Sequence, residues 1–288
     1  MPTTIFKDAR YFQIIFQTLF LCYGIFYLHW DADGWLYATY FGISILTQFL
    51  CELIVPKKNS LAIPILQRLR FGFPSIIISA FGLSLLLKTN YWYVAVLAAV
   101  VSIASKYLIC YKGKHIFNPS ALGIVAAIVF TGKAWFSPGQ WGSGIIILFA
   151  AVSLGFIIVT RVQKLDVSLA FLISFAGLLF FRQVIYLQWP LDFFVQSIST
   201  GSLLLFSFFM ITDPKTTPNH KHARIIWAVS IAVAAFYLTS FNFINGAAIW
   251  VLIFSQPLIP LLDKAFKEKA FEWKPYPISN QKKLLVSS

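Results

Sequence analysis

Apolar and polar positions alternate on a long scale in this chain. Runs of about 18 apolar residues are separated by short clusters of charge, Pro, Gly or Asn. Ten such runs are read, at roughly 11–29, 35–55, 72–87, 91–109, 116–132, 143–160, 167–187, 190–211, 225–240 and 243–262. None alternates strictly every second residue, and runs of this length satisfy their backbone groups in lipid only as helices. The pattern predicts an all-α polytopic integral membrane protein of about ten transmembrane helices, with both termini on the cytoplasmic side. It divides the chain into an N-terminal segment 1–10, a helical membrane domain 11–262 and a basic tail 263–288. Neither the tail nor the longest loop, about 56–71, is long enough to build a separate core. The first run is span-length and lacks a small-residue cleavage site, so it reads as an ordinary first helix.

Composition agrees with this class and changes the meaning of the charge. The chain is 59% hydrophobic and 11% charged, with a mean hydropathy of +0.77, where soluble domains carry about a quarter charged residues. That excludes a disordered chain, a collagen-like chain and a soluble nucleic-acid-binding domain. With the N-terminus placed in the cytoplasm, 20 of the 23 Lys and Arg residues fall on the inner side, and only Lys88, Lys133 and Arg182 fall outside. A missed helix would invert every later loop and destroy this bias, so the net charge of +13 is mainly a sidedness signal. Trp30, Trp35, Trp92, Trp135, Trp141 and Trp189 mark the outer ends of the runs, as an interfacial aromatic belt requires.

Metal-ligand and nucleophile patterns are sparse. Cys22, Cys51 and Cys110 fall in or at the ends of three different runs with no tight spacing, and read as small apolar residues. His220 and His222 belong to a basic loop, and no His pair is placed to hold a haem across the bilayer. Glu52 stands in the last turn of the second run, after Gln48 and Cys51. A carboxylate there reads either as part of an ion pathway or as a group reaching the headgroups or Lys57.

Two cytoplasmic loops carry the candidate chemistry. One contains Phe117-Asn118-Pro119-Ser120 and the other Thr212-Asp213-Pro214-Lys215-Thr216. In each, an N-cap residue is followed at once by Pro, the signature of a helix start. Asn118 is expected to cap a helix over 119–131, and Asp213 a turn or short helix that Pro218 interrupts. Helix starts flanked by Lys112, Lys114, Lys215 and Lys221 form an anion-attracting site, or else are simply well-capped helices beside positive-inside loops. Pro119 and Pro214 are 95 residues apart and face the same side, so they are similar devices and not halves of an inverted repeat.

At these residues the sequence resembles the NqrB/RnfD family, membrane subunits of the sodium-pumping NADH:quinone oxidoreductase and of the Rnf ferredoxin:NAD oxidoreductase. The likeness is carried by Phe117-Asn118-Pro119-Ser120-Ala121-Leu122-Gly123, by Ser199–Leu204 with Phe208–Thr216, and by Asn245–Ala248 with Leu258–Asp263. Its order and spacing run over roughly residues 70–265. The resemblance implies a multi-pass subunit of a bacterial cytoplasmic (inner) membrane electron-transfer complex that couples redox chemistry to movement of Na+ or H+. It implies a flavin, with Phe117, Asn118, Pro119, Ser120, Thr212, Asp213, Pro214, Lys215 and Thr216 shaping its site, and other subunits as partners. The family's flavinylation motif, D-G-x-[ST]-[GS]-A-T, does not occur here, so the implied FMN or riboflavin is noncovalent and Thr200 is not assigned as an attachment site. Such a chain is a subunit of an oxidoreductase or translocase and not a self-contained catalyst. The alternatives are a non-redox transporter or channel for a small anion or polar solute, and a scaffold whose Lys-rich tail docks partner proteins. Beyond the lipid bilayer and those subunits, no nucleic-acid partner is expected.

Overall fold

The computed structural model describes residues 8–30, 33–55, 64–137 and 164–269. Nine of the ten expected runs are helical there, and the run 143–160 lies outside the described residues. The first five helices are α1 (Ala9–Phe26), α2 (Gly34–Ile54), α3 (Ile65–Leu86), α4 (Trp92–Leu108) and α5 (Pro119–Thr131). α6 (Leu165–Phe180) continues as a π-helical turn to Tyr186. The run 190–211 is broken: α7 (Leu191–Ile198) and α8 (Gly201–Leu205), the latter prolonged by a π-helical turn over Phe206–Met210, meet at 48°. α9 (Lys221–Phe241) is followed by α10 (Ala247–Ser255), a 3-10 turn Gln256–Leu258 and α11 (Ile259–Ala265). Five helical spans among the described residues are long and apolar enough to cross a bilayer, or six if the bent pair counts as one. The chain is an all-α polytopic membrane protein.

Small residues set the closest approaches. α4 turns Ala95, Ala98, Ala99 and Ser102 inward against α5, where Ala121, Ile124 and Ala127 are fully buried. A Cβ at Gly123 would lie 2.5 Å from the carbonyl oxygen of Ala98, so only glycine lets these backbones meet. On the other side α6 and α9 pack through Phe171 and Phe175 against Ala228, Ile231 and Ala235, residues at helical spacing. α10 joins the two groups by packing on α5.

Polar contacts sort by face. Three-residue β1 (Leu87–Thr89) pairs with β4 (Ala134–Phe136), closing the ends of α3 and α5. The two-residue strands β2 (Cys110–Tyr111) and β3 (Lys114–His115) form a hairpin at the opposite ends. The hairpin meets the loop 211–220 and α11, the face that the basic residues assign to the cytoplasm. Ser137 donates to Leu86 O on the outer side, whereas Lys164 donates to Pro218 O on the inner side. The described chain therefore stops and resumes on opposite faces.

Candidate functional site

α5 begins where the sequence places its start, at Pro119, and has 13 residues. At 1.5 Å per residue it is about 20 Å long, short of a hydrocarbon core of about 30 Å. Its N-terminus is therefore recessed, and Asn118 is 4% exposed. The Asn118 side chain accepts the Ala121 N–H (3.1 Å) and donates through Nδ2 to Met210 O (3.3 Å), at the end of the π-helical turn. Its own N–H donates to Gln256 Oε1 at 2.9 Å, from the break between α10 and α11. One asparagine thus joins three elements. The helix start is capped from within, so the N–H groups expected to attract an anion are in part already engaged.

Asp213 closes a turn and not a helix. Its Oδ1 accepts the Lys215 N–H (3.0 Å), Thr216 N–H donates to Asp213 O (3.0 Å), and Oδ2 lies 3.5 Å from His115 Nε2. Burial alone would raise the Asp213 pKa, but His115, the Lys215 amide and Lys106 outweigh it and hold the carboxyl below its ordinary value. Its contribution to stability is thus present at neutral pH and lost as pH falls through that lowered value.

Behind these loops lies a cavity of about 90 Å³, a vestibule walled by α1, α3, the start of α5 and residues 205–215. Asn118, Pro119, Ser120, Thr212, Asp213, Pro214 and Lys215 all reach it. Two of the expected residues do not line it: Phe117 packs on the core, and Thr216 is buried in the turn. Glu52 is elsewhere. It is 7% exposed, 3.3 Å from Arg68 Nη1, and accepts the Tyr107 hydroxyl at 2.6 Å. Gln48 Nε2 hydrogen-bonds Tyr107 and lies 3.3 Å from Glu52 Oε1. Among the described residues its ion-pair partner is Arg68; Lys57 lies outside them.

Sequence reasoning missed half of the wall. Arg10, Gln13 and Gln17 on α1, and Ser75 and Ser79 on α3, line the vestibule. Lys106, 6% exposed, donates from Nζ to Ser75 O (3.0 Å), Ser75 Oγ (3.2 Å) and Ser79 Oγ (2.9 Å). The signal available was polar side chains inside apolar runs, Gln17 and Lys106 above all. Below the vestibule, Lys114 Nζ ties Thr217 O (3.1 Å), Asn219 Oδ1 (2.8 Å) and Asp263 Oδ2 (2.9 Å) together.

A flavin does not fit this vestibule. About 90 Å³ is room for about three waters, whereas pockets for ligands of drug size run to about 300–1,000 Å³. The lining suits a small polar ion or solute.

The fold and this recessed polar vestibule define a polytopic membrane protein with a small polar cavity behind the loops of its basic face. A model of the NQR2, RnfD, RnfE family matches residues 128–272, just over half of the chain, and the chain belongs to that family. A subunit of the ion-translocating oxidoreductase complex of Stutzerimonas stutzeri is 28% identical over 74 residues, 26% of this chain. The matched part spans 21% of that relative's length. The Thr212–Thr216 loop falls within the family match, whereas Phe117–Gly123 and the α1 and α3 walls precede it.

Proposed function

We propose that this chain is a membrane subunit of an electron-transfer complex of the bacterial inner membrane, coupling redox chemistry to ion movement alongside other subunits. Membership of the NQR2, RnfD, RnfE family carries this reading. The name of the Stutzerimonas relative supports it. The flavin link, a noncovalent FMN or riboflavin, rests on the family resemblance alone, and its ring would sit outside the vestibule. An optical spectrum of the purified protein, before and after dithionite and after incubation with FMN or riboflavin, tests it. Flavin bands that bleach on reduction support the redox reading; their absence under every condition overturns the flavin part.

Glu52 is assigned to the ion pathway, for Na+ or H+, in the same reading. Its oxygens are occupied by Tyr107, Gln48 and Arg68, so an ion passing here must displace at least one of these contacts. Glu52→Gln alone strands Arg68. The double variant Glu52→Gln with Arg68→Met removes that penalty and isolates the carboxylate's role. Na+ or H+ uptake retained by the folded double variant would reject Glu52 as a carrier.

A second reading, a non-redox channel or transporter for a small anion or polar solute, is favoured by the size of the vestibule. Uptake into liposomes without any electron donor supports it, and strict dependence on a donor removes it.

A further inference from the structure

We propose that the ends of α9 and α11 on the basic face form a binding site for one anionic phospholipid. Contacts between them fix the two ends against each other. Asn219 N–H donates to Asp263 Oδ1 at 2.8 Å, and the His220 ring stacks on Phe266 with centroids 5.4 Å apart. Lys221 and His222 open the first turn of α9, while Lys264 stands in the last turn of α11 and Lys267 just beyond it. The stack and the Asn219 bond therefore gather these side chains, all of them exposed, into one patch.

The patch does not balance its own charge. Lys221, Lys264, Lys267 and Lys269 make no ion pair among the described residues. Asp263 is taken by Lys114 and the Asn219 amide. Glu268 is the carboxylate left beside the lysines, and four positive charges against one negative leave three. Positive-inside bias puts lysines on this face in general. It does not bring them together from two separate helix ends, nor does it set apolar surface beneath them.

That surface is what selects a lipid. Leu258 and Leu261 precede Lys264 by six and three residues, the spacing of one helical stripe, and are 53% and 63% exposed. On α9, Ile226 follows His222 by four residues and is 61% exposed. Both helices thus present cations at the end and outward apolar side chains one or two turns deeper, where the surroundings are acyl chains. Clustered juxtamembrane lysines attract anionic headgroups, and the apolar stripes continue the same ligand from headgroup to chain. A soluble acidic protein or a free anion would use the upper half of the patch and leave the lower half idle. Through Asp263 and Asn219 the site borders the loop that carries Asp213, and a lipid bound here braces that loop.

The test uses the full chain in nanodiscs of phosphatidylcholine, with and without phosphatidylglycerol, read by thermal unfolding and by native mass spectrometry of the lipid retained after transfer to detergent. We expect phosphatidylglycerol to raise the unfolding midpoint and to be retained in preference to phosphatidylcholine. Its affinity should fall about fivefold for each lysine removed in the series Lys221→Gln, Lys264→Gln and Lys267→Gln. These side chains are exposed, so the variants keep their fold. Lys133→Gln, exposed on the opposite face, removes the same net charge and should keep the full preference. No preference for phosphatidylglycerol, a preference undiminished in the triple variant, or one lost equally in Lys133→Gln overturns the site. Stabilisation by soluble glycerol phosphate equal to that by the lipid overturns the lipid in favour of a free anion.

Discussion

Asn118 does two jobs that substitution can separate. Asp caps a helix as well as Asn does, but it has no donor for Met210 O. If capping were the whole role, Asn118→Asp would be neutral. The structure instead predicts that Asn118→Asp loses about 1–3 kcal/mol, the cost of a stranded buried carbonyl, measured by thermal unfolding in detergent. Lys164 shares the sign of its pH slope with Asp213 but titrates in the alkaline range, and at neutral pH its charge costs stability where that of Asp213 contributes it. Burial, with Arg224 and Lys114 nearby, lowers the Lys164 pKa to about 8. The unfolded chain then binds the extra proton between about pH 8 and 10.5, so stability rises with pH across that window and the charged form costs stability below it. The gain is at most about 3 kcal/mol. Lys164→Met should flatten the rise in unfolding midpoint between pH 8 and 10; an unchanged slope rejects the assignment.

Elements were legible where their determinants are local. The bounds of α5 follow from an N-cap three residues from the amide it accepts and from Gly132, whose φ of +60° ends the helix without the strain a side chain would bring. The break at Ser199–Thr200 was not read, although the polar, glycine-containing cluster Gln196-Ser197 and Ser199-Thr200-Gly201-Ser202 interrupts the apolar run there and was the signal available. Nor were the partners of Asn118. Gln256 is 138 residues away and reaches it only because α10 packs on α5. The contact of α4 with α5 yields a test at this scale. Gly123→Ala must push the helices apart, because the added methyl meets backbone, whereas Gly42→Ala meets open space. We expect a loss of about 1–3 kcal/mol for the first and a far smaller change for the second, read as unfolding midpoints.

At the scale of the molecule, the helix ends that the charge pattern groups on one face also meet in the structure. Ends on the basic face hydrogen-bond to one another: Arg10 to Phe71 O, Lys114 to Asp263, and Arg224 to Asp166 at 2.5 Å. Outer ends pair with outer ends, as Thr89 does with Lys133 O. In a variant lacking Cys22 and Cys51, a membrane-impermeant maleimide should reach Cys110, exposed on the hairpin, only in inverted vesicles. A cysteine placed at Lys133 should label only in right-side-out ones; labelling of both from one side refutes the topology.

The bond from the Asn118 amide to Gln256 also sets an order of events during synthesis. When α5 enters the bilayer, the residue that satisfies this amide has not been made, and it arrives 138 residues later. Lys114 waits still longer for Asp263. Until then the recessed helix start holds an unsatisfied donor in a medium that offers no water. Gln256 therefore completes the α5 start late: chains cut short before it retain their earlier membrane helices but leave the Asn118 amide without this acceptor.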